Sequence, residues 1–150
     1  MKGSKKSSNV KTVLGILSNE ANGDVASALK KMSKDYSMTW VYQSRKTLFP
    51  SVRPDFKRDM SEAYSIKGRE YDIRNIAEGE GVVMVELVES YPDPTTKKTH
   101  RTPLVLVLEM KNGKIKTGRH YCDPSLSHLR LSKEAVSKVY KGTKTKFTIK

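Results

Sequence analysis

RTPLVLVLEMKNGKIKTGRHYCDP, residues 101–124, reads as two strands and the turn between them. Asn112-Gly113 is a strong hairpin signal, because both residue types accept the positive φ of a tight primed turn. Before it, Leu104, Leu106, Leu108 and Met110 alternate with Val105, Val107 and Glu109. A period of two is the mark of a strand. Pro103 cannot donate to a ladder, so it implies an edge or a bulge near the strand start. After the turn, Arg119, Tyr121 and Asp123 fall on one face, with His120 and Cys122 on the other. Pro124 then stops the run.

Two more strands precede this hairpin. REYDIRNIA spans residues 69–77 and VVMVELVESY spans 82–91, with Gly79 and Gly81 marking the turn between them. PDPTTKKTH, from residue 92, reads as an exposed hairpin end. Nearer the start, Val13, Leu14, Ile16, Leu17 and Ala21 suit a helix that Asn22-Gly23 ends. Asp24 caps a second short helix carrying Ala28, Leu29 and Met32 on one face. DYSMTWVYQ, residues 35–43, reads as a short strand or an irregular pocket wall. LFPSVRPDF reads as loop, and Asp55 as the cap of a helix over 56–65. Helices first and an antiparallel meander afterwards give an α+β class. Beyond Pro124, a helix is expected over 132–140, and KGTKTKFTIK is either a tail or a short edge strand.

Charge divides the chain more sharply than hydropathy does. Residues 1–34 hold 7 basic and 2 acidic groups, 35–123 hold 15 and 13, and 124–150 hold 7 and 1. The expected organisation is a disordered basic N-terminus over 1–9, one domain over 10–124, and a basic C-terminal extension over 125–150. Basic ends attract polyanions non-specifically, which alone does not make a nucleic-acid binder. One cysteine, Cys122, excludes an internal disulfide and a multi-thiolate zinc site. No apolar run is long enough for membrane insertion, and none follows the basic start as an export signal would require. A cytoplasmic location is the expectation. No phosphate loop or dinucleotide fingerprint is present, and no cofactor or metal is expected.

Several polar residues are candidates for chemistry. Glu86 sits among apolar neighbours on its strand, where a carboxylate either pairs with a donor or holds its proton toward neutral pH. Met84 shares that face and is read with it as a ligand contact. Asp123, at a strand end three residues after His120, is the leading proton carrier, against a bland reading as a turn-forming Asp-Pro. Arg119 is either its salt partner or a binder of substrate charge. Tyr121 is either a core residue or a pocket donor. Tyr36, Trp40 and Tyr42 form an aromatic group suited to the wall of an organic-ligand pocket, or to ordinary core. His120 and Cys122 suggest a thiol–imidazole pair, but no oxyanion site accompanies them, so Cys122 reads as a small buried residue.

NGDVASALKKMSKDYSMTW, the proline-bearing loop and helix after it, IAEGEGVVMVE and NGKIKTGRHYCDP come in an order that resembles the SnoaL-like polyketide-cyclase family. That family belongs to the ketosteroid-isomerase-like, or nuclear-transport-factor-two-like, superfamily. The resemblance covers about residues 10–124. It implies a cone-shaped curved antiparallel sheet, wrapped by N-terminal helices around an apolar cavity, with a homodimer through the outer sheet face. It also implies carboxylates and aromatic hydroxyls moving protons on a small apolar organic ligand, with Asp123 matching the cyclase acid–base position. Glu86, Tyr36 and Tyr121 complete the expected catalytic set. Trp40, Tyr42, Met84 and Arg119 complete the ligand contacts. A non-catalytic ligand binder on the same fold and a basic module for nucleic acid or an acidic partner are the alternatives, since fold alone does not fix function.

Overall fold

The computed structural model describes residues 7–41, 50–123 and 125–150, with side chains 50–56 and 59 outside that description. Helix α1 spans Ser8–Ala21 and α2 spans Val25–Lys30. Ser7 caps the first, accepting from the Val10 N–H at 3.1 Å. Asp24 caps the second, accepting from the Ser27 N–H at 3.0 Å. Each cap satisfies a donor that the first helical turn leaves unpaired. Residues 7–9, within the segment expected to be disordered, form the cap and first residues of α1, and residues 1–6 lie outside the description.

Strands follow: β1 (Met32–Val41), β2 (Pro50–Val52), then helix α3 (Arg53–Ala63), β3 (Glu70–Gly79), β4 (Val82–Pro92), β5 (Thr99–Lys111) and β6 (Lys114–Tyr121). Helices α4 (Ser125–His128) and α5 (Lys133–Val139) lead to β7 (Phe147–Ile149). The seven strands form one sheet in the order β2-β1-β6-β5-β4-β3-β7. The meander β3 to β6 is antiparallel, as its hairpin turns require. The pairing of β1 with β6 is parallel, Trp40 lying beside His120, because β1 enters from the helical hairpin rather than from a turn.

Three segments differ from their sequence reading. Pro50 to Val52, expected as loop, pair with β1 at the sheet edge, where a proline costs no ladder bond. α3 starts at Arg53, ahead of Asp55, so Pro54 stands in the first turn, where its missing N–H is harmless. Pro103 lies inside β5 and opposite Val88. The β5–β6 pairing begins only at Val105, so β5 is locally an edge at the proline. The final segment is resolved in favour of the edge strand: β7 pairs with β3, Ile149 opposite Tyr71.

Alternation decides which face is inside. Val83, Val85 and Leu87 of β4 and Leu104, Leu106 and Leu108 of β5 are buried in the core with Ile115, Tyr36 and Met38. α1 lays Val13, Ile16 and Leu17 against them. Between Ile73 and Asn75 the β3–β4 register slips, a bulge that bends the strand and helps to curve the sheet. Gly118 permits a close approach: a Cβ there would stand 3.0 Å from the Met38 sulfur and 3.1 Å from Leu108. At the β5–β6 turn, Asn112 has φ 51° and Gly113 φ 72°. Nothing stands within 4 Å of a Cβ built on Gly113, so Gly113→Ala meets only backbone strain. It is expected to cost about 1 kcal/mol, read as a drop of a few degrees in thermal midpoint.

Candidate active site

A cavity of about 360 Å³ opens between α1, the end of α3 and the concave face of the sheet. Its size falls in the range of small-molecule sites. Its walls are mainly apolar, with Ile16, Leu17, Leu104, Leu106 and Leu108 prominent. The polar groups that matter most gather in two places.

The first gathering is built on α1. Val13, Ile16, Leu17 and Glu20 occupy positions i, i+3, i+4 and i+7, one stripe of the helix. Glu20 thus stands where the pattern calls for an apolar residue, and it is buried. The Tyr71 hydroxyl donates to Glu20 Oε2 at 3.1 Å. Tyr64 brings a second hydroxyl to the same carboxyl. Burial raises the Glu20 pKa from 4.5 to about 7, against the lowering effect of Tyr71, the Arg69 charge and Tyr64. Arg69 is held between two rings, 4.8 Å from the Tyr64 centroid and 4.6 Å from that of Tyr91. It is ion-paired with Glu89 and donates to the Ala63 carbonyl at 2.9 Å. Burial and Glu20 together keep the Tyr36, Tyr64 and Tyr71 hydroxyls protonated well above the usual tyrosine range.

The second gathering is on β6. His120 pairs in register with Trp40 on one side and Leu106 on the other, and its ring lines the cavity. Its Nδ1 is buried and has no hydrogen-bond partner among the described residues. Burial lowers its pKa to about 4, so the imidazole is neutral at pH 7. Cys122 lines the same wall, and burial, with the nearby Asp123 charge, pushes its thiol up to about 11. It is a thiol rather than a thiolate nucleophile at neutral pH. At the rim, His100 Nε2 lies 3.0 Å from Asp93 and Nδ1 lies 2.6 Å from the Ser127 carbonyl, tying α4 to the cavity mouth. Among the described residues, no three His, Cys, Asp or Glu side chains converge as metal ligands do.

Tyr36 and Trp40 are the expected site residues that line this cavity. Tyr42 lies outside the described residues. The other five stand elsewhere, and strand parity explains why. Asp123 is exposed, and its Oδ1 accepts from the Ser125 N–H at 2.9 Å and hydroxyl at 2.6 Å. Those bonds hold its carboxyl below the usual range, as an anion at the entry to α4 rather than a proton carrier. Arg119 is on the convex face, 3.5 Å from Glu109, and Tyr121 is 40% exposed. Gly118, which admits Met38, fixes the opposite parity, that of His120 and Cys122, as the inner one. Glu86 is likewise convex, accepting from Asn75 Nδ2 at 2.6 Å, with Met84 47% exposed on the same side. The inward carboxylate of β4 is Glu89, in phase with Val83, Val85 and Leu87. Glu20, Tyr64, Arg69, Tyr71 and Glu89 were not singled out from the sequence. The interrupted stripe of α1 was the legible signal for Glu20, and the shared parity of Tyr71 and Ile73 the signal for Tyr71.

No family profile matches the chain, and no curated protein matches it. Solved structures do. An LEH-like epoxide hydrolase of M. tuberculosis superposes with a TM-score of 0.66 at 16% identity, over 90% of this chain and 97% of that one. IdmH of Streptomyces antibioticus, a proposed polyketide cyclase, gives 0.69 at 11% identity, over 81% and 96%. An NTF2-like protein of Burkholderia xenovorans LB400 gives 0.65 at 14% identity, over 87% and 100%. At these identities the likeness is one of fold.

Proposed function

From the SnoaL-like and NTF2-like cone fold that this chain adopts, we propose that it is an acid–base enzyme acting on a small apolar organic molecule. One observation carries the reading: a buried carboxyl, Glu20, whose pKa of about 7 leaves both of its forms populated at neutral pH, inside an apolar cavity. A general acid–base group works best near the operating pH.

The chemistry follows from the arrangement. The Glu20 carboxylate takes a proton from a carbon next to a carbonyl, and the electron pair moves onto the carbonyl oxygen. A tyrosine hydroxyl of the cavity, Tyr36 or Tyr64, donates to that developing oxyanion, a contribution that is largest in a dry site. Glu20 then returns the proton to another carbon, or to a leaving oxygen. Isomerisation, aldol-type cyclisation and dehydration share these steps. Tyr71 is a positioning residue, since it touches the carboxyl rather than the substrate. His120, neutral, offers a hydrogen bond to a polar group from the opposite wall. Proton transfer to and from Glu20 requires no cofactor. We further propose a cytoplasmic homodimer joined through the convex face, where Met84 and Tyr121 are exposed. No helix among the described residues is long and apolar enough to cross a membrane.

The test is the elimination of nitrobenzisoxazole, a probe that opens on loss of one C–H proton. The expected kcat/KM rises with pH through an inflection near 7, set by Glu20. Glu20→Gln is expected to lower it by at least ~100-fold, the usual worth of a positioned base. Turnover that survives Glu20→Gln overturns the reading. Probe binding without turnover above the buffer rate selects the alternative, a ligand carrier on the same fold.

A further inference from the structure

A second cavity, of about 280 Å³, lies on the other side of the sheet. Asp72 and Arg74 of β3 and Arg101 of β5 form its floor, and Lys133 and Ser137 of α5, with Thr148 of β7, form its roof. Tyr71 and Ile73 point into the main cavity and core, so the sheet separates the two spaces. Val136 of α5 is buried here in the same pocket wall as Val88, apart from the main core. The basic C-terminal segment is thus docked on the convex face and builds a compartment with it.

Its charges are not balanced from within. Arg74 is only 6% exposed. The bulge in β3 falls at this residue and turns it outward. Its guanidinium packs on the Tyr140 ring at 4.5 Å and donates to the Thr143 carbonyl at 2.9 Å. Its Nε is buried without a hydrogen-bond partner among the described residues. Arg101 uses one nitrogen on the Leu131 carbonyl, at 2.9 Å. Among the described residues neither arginine is ion-paired, nor is Lys133. A buried cation without a counter-ion is costly, by several kcal/mol in order of magnitude. The one carboxylate in the lining, Asp72, already accepts from the Thr148 hydroxyl at 2.6 Å. Among the lining residues three cations face one carboxylate, and the exposed Glu134, close enough to feel Arg101 and Lys133, offsets part of their charge, so the compartment keeps a net positive charge.

We propose that this compartment is a site for a dianionic oxyanion, the phosphate of a small phosphomonoester. The Arg101 guanidinium, with one nitrogen on Leu131, keeps donors for tetrahedral oxygens, the Arg74 charge lies in the floor beside it, the Lys133 ammonium adds a point charge, and the Ser137 hydroxyl adds a further donor. A dianion interacts more strongly with this positive charge than a singly charged phosphodiester or carboxylate does. This site stands independently of the acid–base reading of the main cavity. It also differs from diffuse attraction of a polyanion to the basic ends, which saturates at no single stoichiometry and fades with salt. Occupancy would stabilise the docking of the C-terminal segment, which is otherwise anchored by β7 and by the Lys146 N–H donating to the Ile73 carbonyl at 2.8 Å.

The experiment is a calorimetric and thermal-unfolding titration of the full chain with inorganic phosphate, replacing chloride at constant ionic strength and pH 7.5. The expected result is saturable binding at one site per chain with a rise in the unfolding midpoint. Lys133→Ala in the roof and Arg101→Gln in the floor are each expected to weaken it at least tenfold, and Glu20→Gln to leave it unchanged. A single-stranded oligonucleotide without a terminal phosphate, carrying only diesters, is expected not to displace phosphate. Phosphate acting no differently from chloride overturns the site, as does full binding by both the Lys133 and the Arg101 variant. Displacement by the oligonucleotide overturns the monoester assignment in favour of a nucleic-acid contact.

Discussion

Glu20→Gln is expected to unfold at a higher temperature than the wild type at pH 8 and at nearly the same temperature near pH 4. The folded-state pKa of Glu20, about 7, lies above its ordinary value of 4.5. Between those values the native protein holds a proton that the unfolded chain has released. Stability from this group is therefore complete below pH 4.5 and is lost as pH rises through 7. The difference corresponds to roughly 3 kcal/mol at pH 8. Gln is isosteric with the protonated carboxyl and still accepts the Tyr71 hydroxyl, so it carries none of this loss. For a chain of this size roughly 2–4 °C of midpoint accompany each kcal/mol. The variant should gain about 6–12 °C at pH 8 by that relation. All other titrating groups are shared, so the variant-minus-wild-type difference isolates Glu20. An equal difference at both pH values would show that Glu20 keeps an ordinary pKa, and the proposed proton carrier would go with it.

Arg69→Met is expected to cost about 3–5 kcal/mol at pH 8, the usual penalty for removing one partner of a buried ion pair. Arg69 is 5% exposed, and its partner Glu89 would be left beside Glu20 with no cation in the same wall. The rings of Tyr64 and Tyr91 would also lose the guanidinium packed between them. Replacing both partners, Arg69→Met with Glu89→Met, should recover most of the loss, since an apolar pair of similar volume carries no stranded charge. Urea unfolding of the single and double variants measures both. A single variant within about 1 kcal/mol of wild type would show the pair to be solvated. The Arg69 charge lowers the Glu20 pKa, so its removal should also move the pH–rate inflection above 7.

The fold was legible because it is written in short periods. Alternation in β4 and β5, Asn112-Gly113 and the cap at Asp24 each act within a few residues, and each stands in the structure. The bulge at Arg74 is also visible, once Tyr71, Ile73 and Ile76 are seen to break the period of two. The site was less legible. Alternation says that His120 and Asp123 face opposite ways, but not which way is in. Choosing Asp123 reversed the inner and outer faces of β6, and choosing Glu86 did the same on β4.

From the sequence alone came the α+β class, most of the order of elements and the turn at Asn112-Gly113. Tertiary structure alone decided which carboxyl holds its proton near neutral pH. A pKa is set by what surrounds a group in space, and the surroundings of Glu20 come from residues 64, 69 and 71, far along the chain. It likewise decided that the basic C-terminal segment docks on the convex face, since that depends on β7 meeting β3, with Ile149 opposite Tyr71, far back along the chain. Local pattern fixes elements because hydrogen bonds and side-chain periods are local. Burial and charge balance are properties of the assembled molecule.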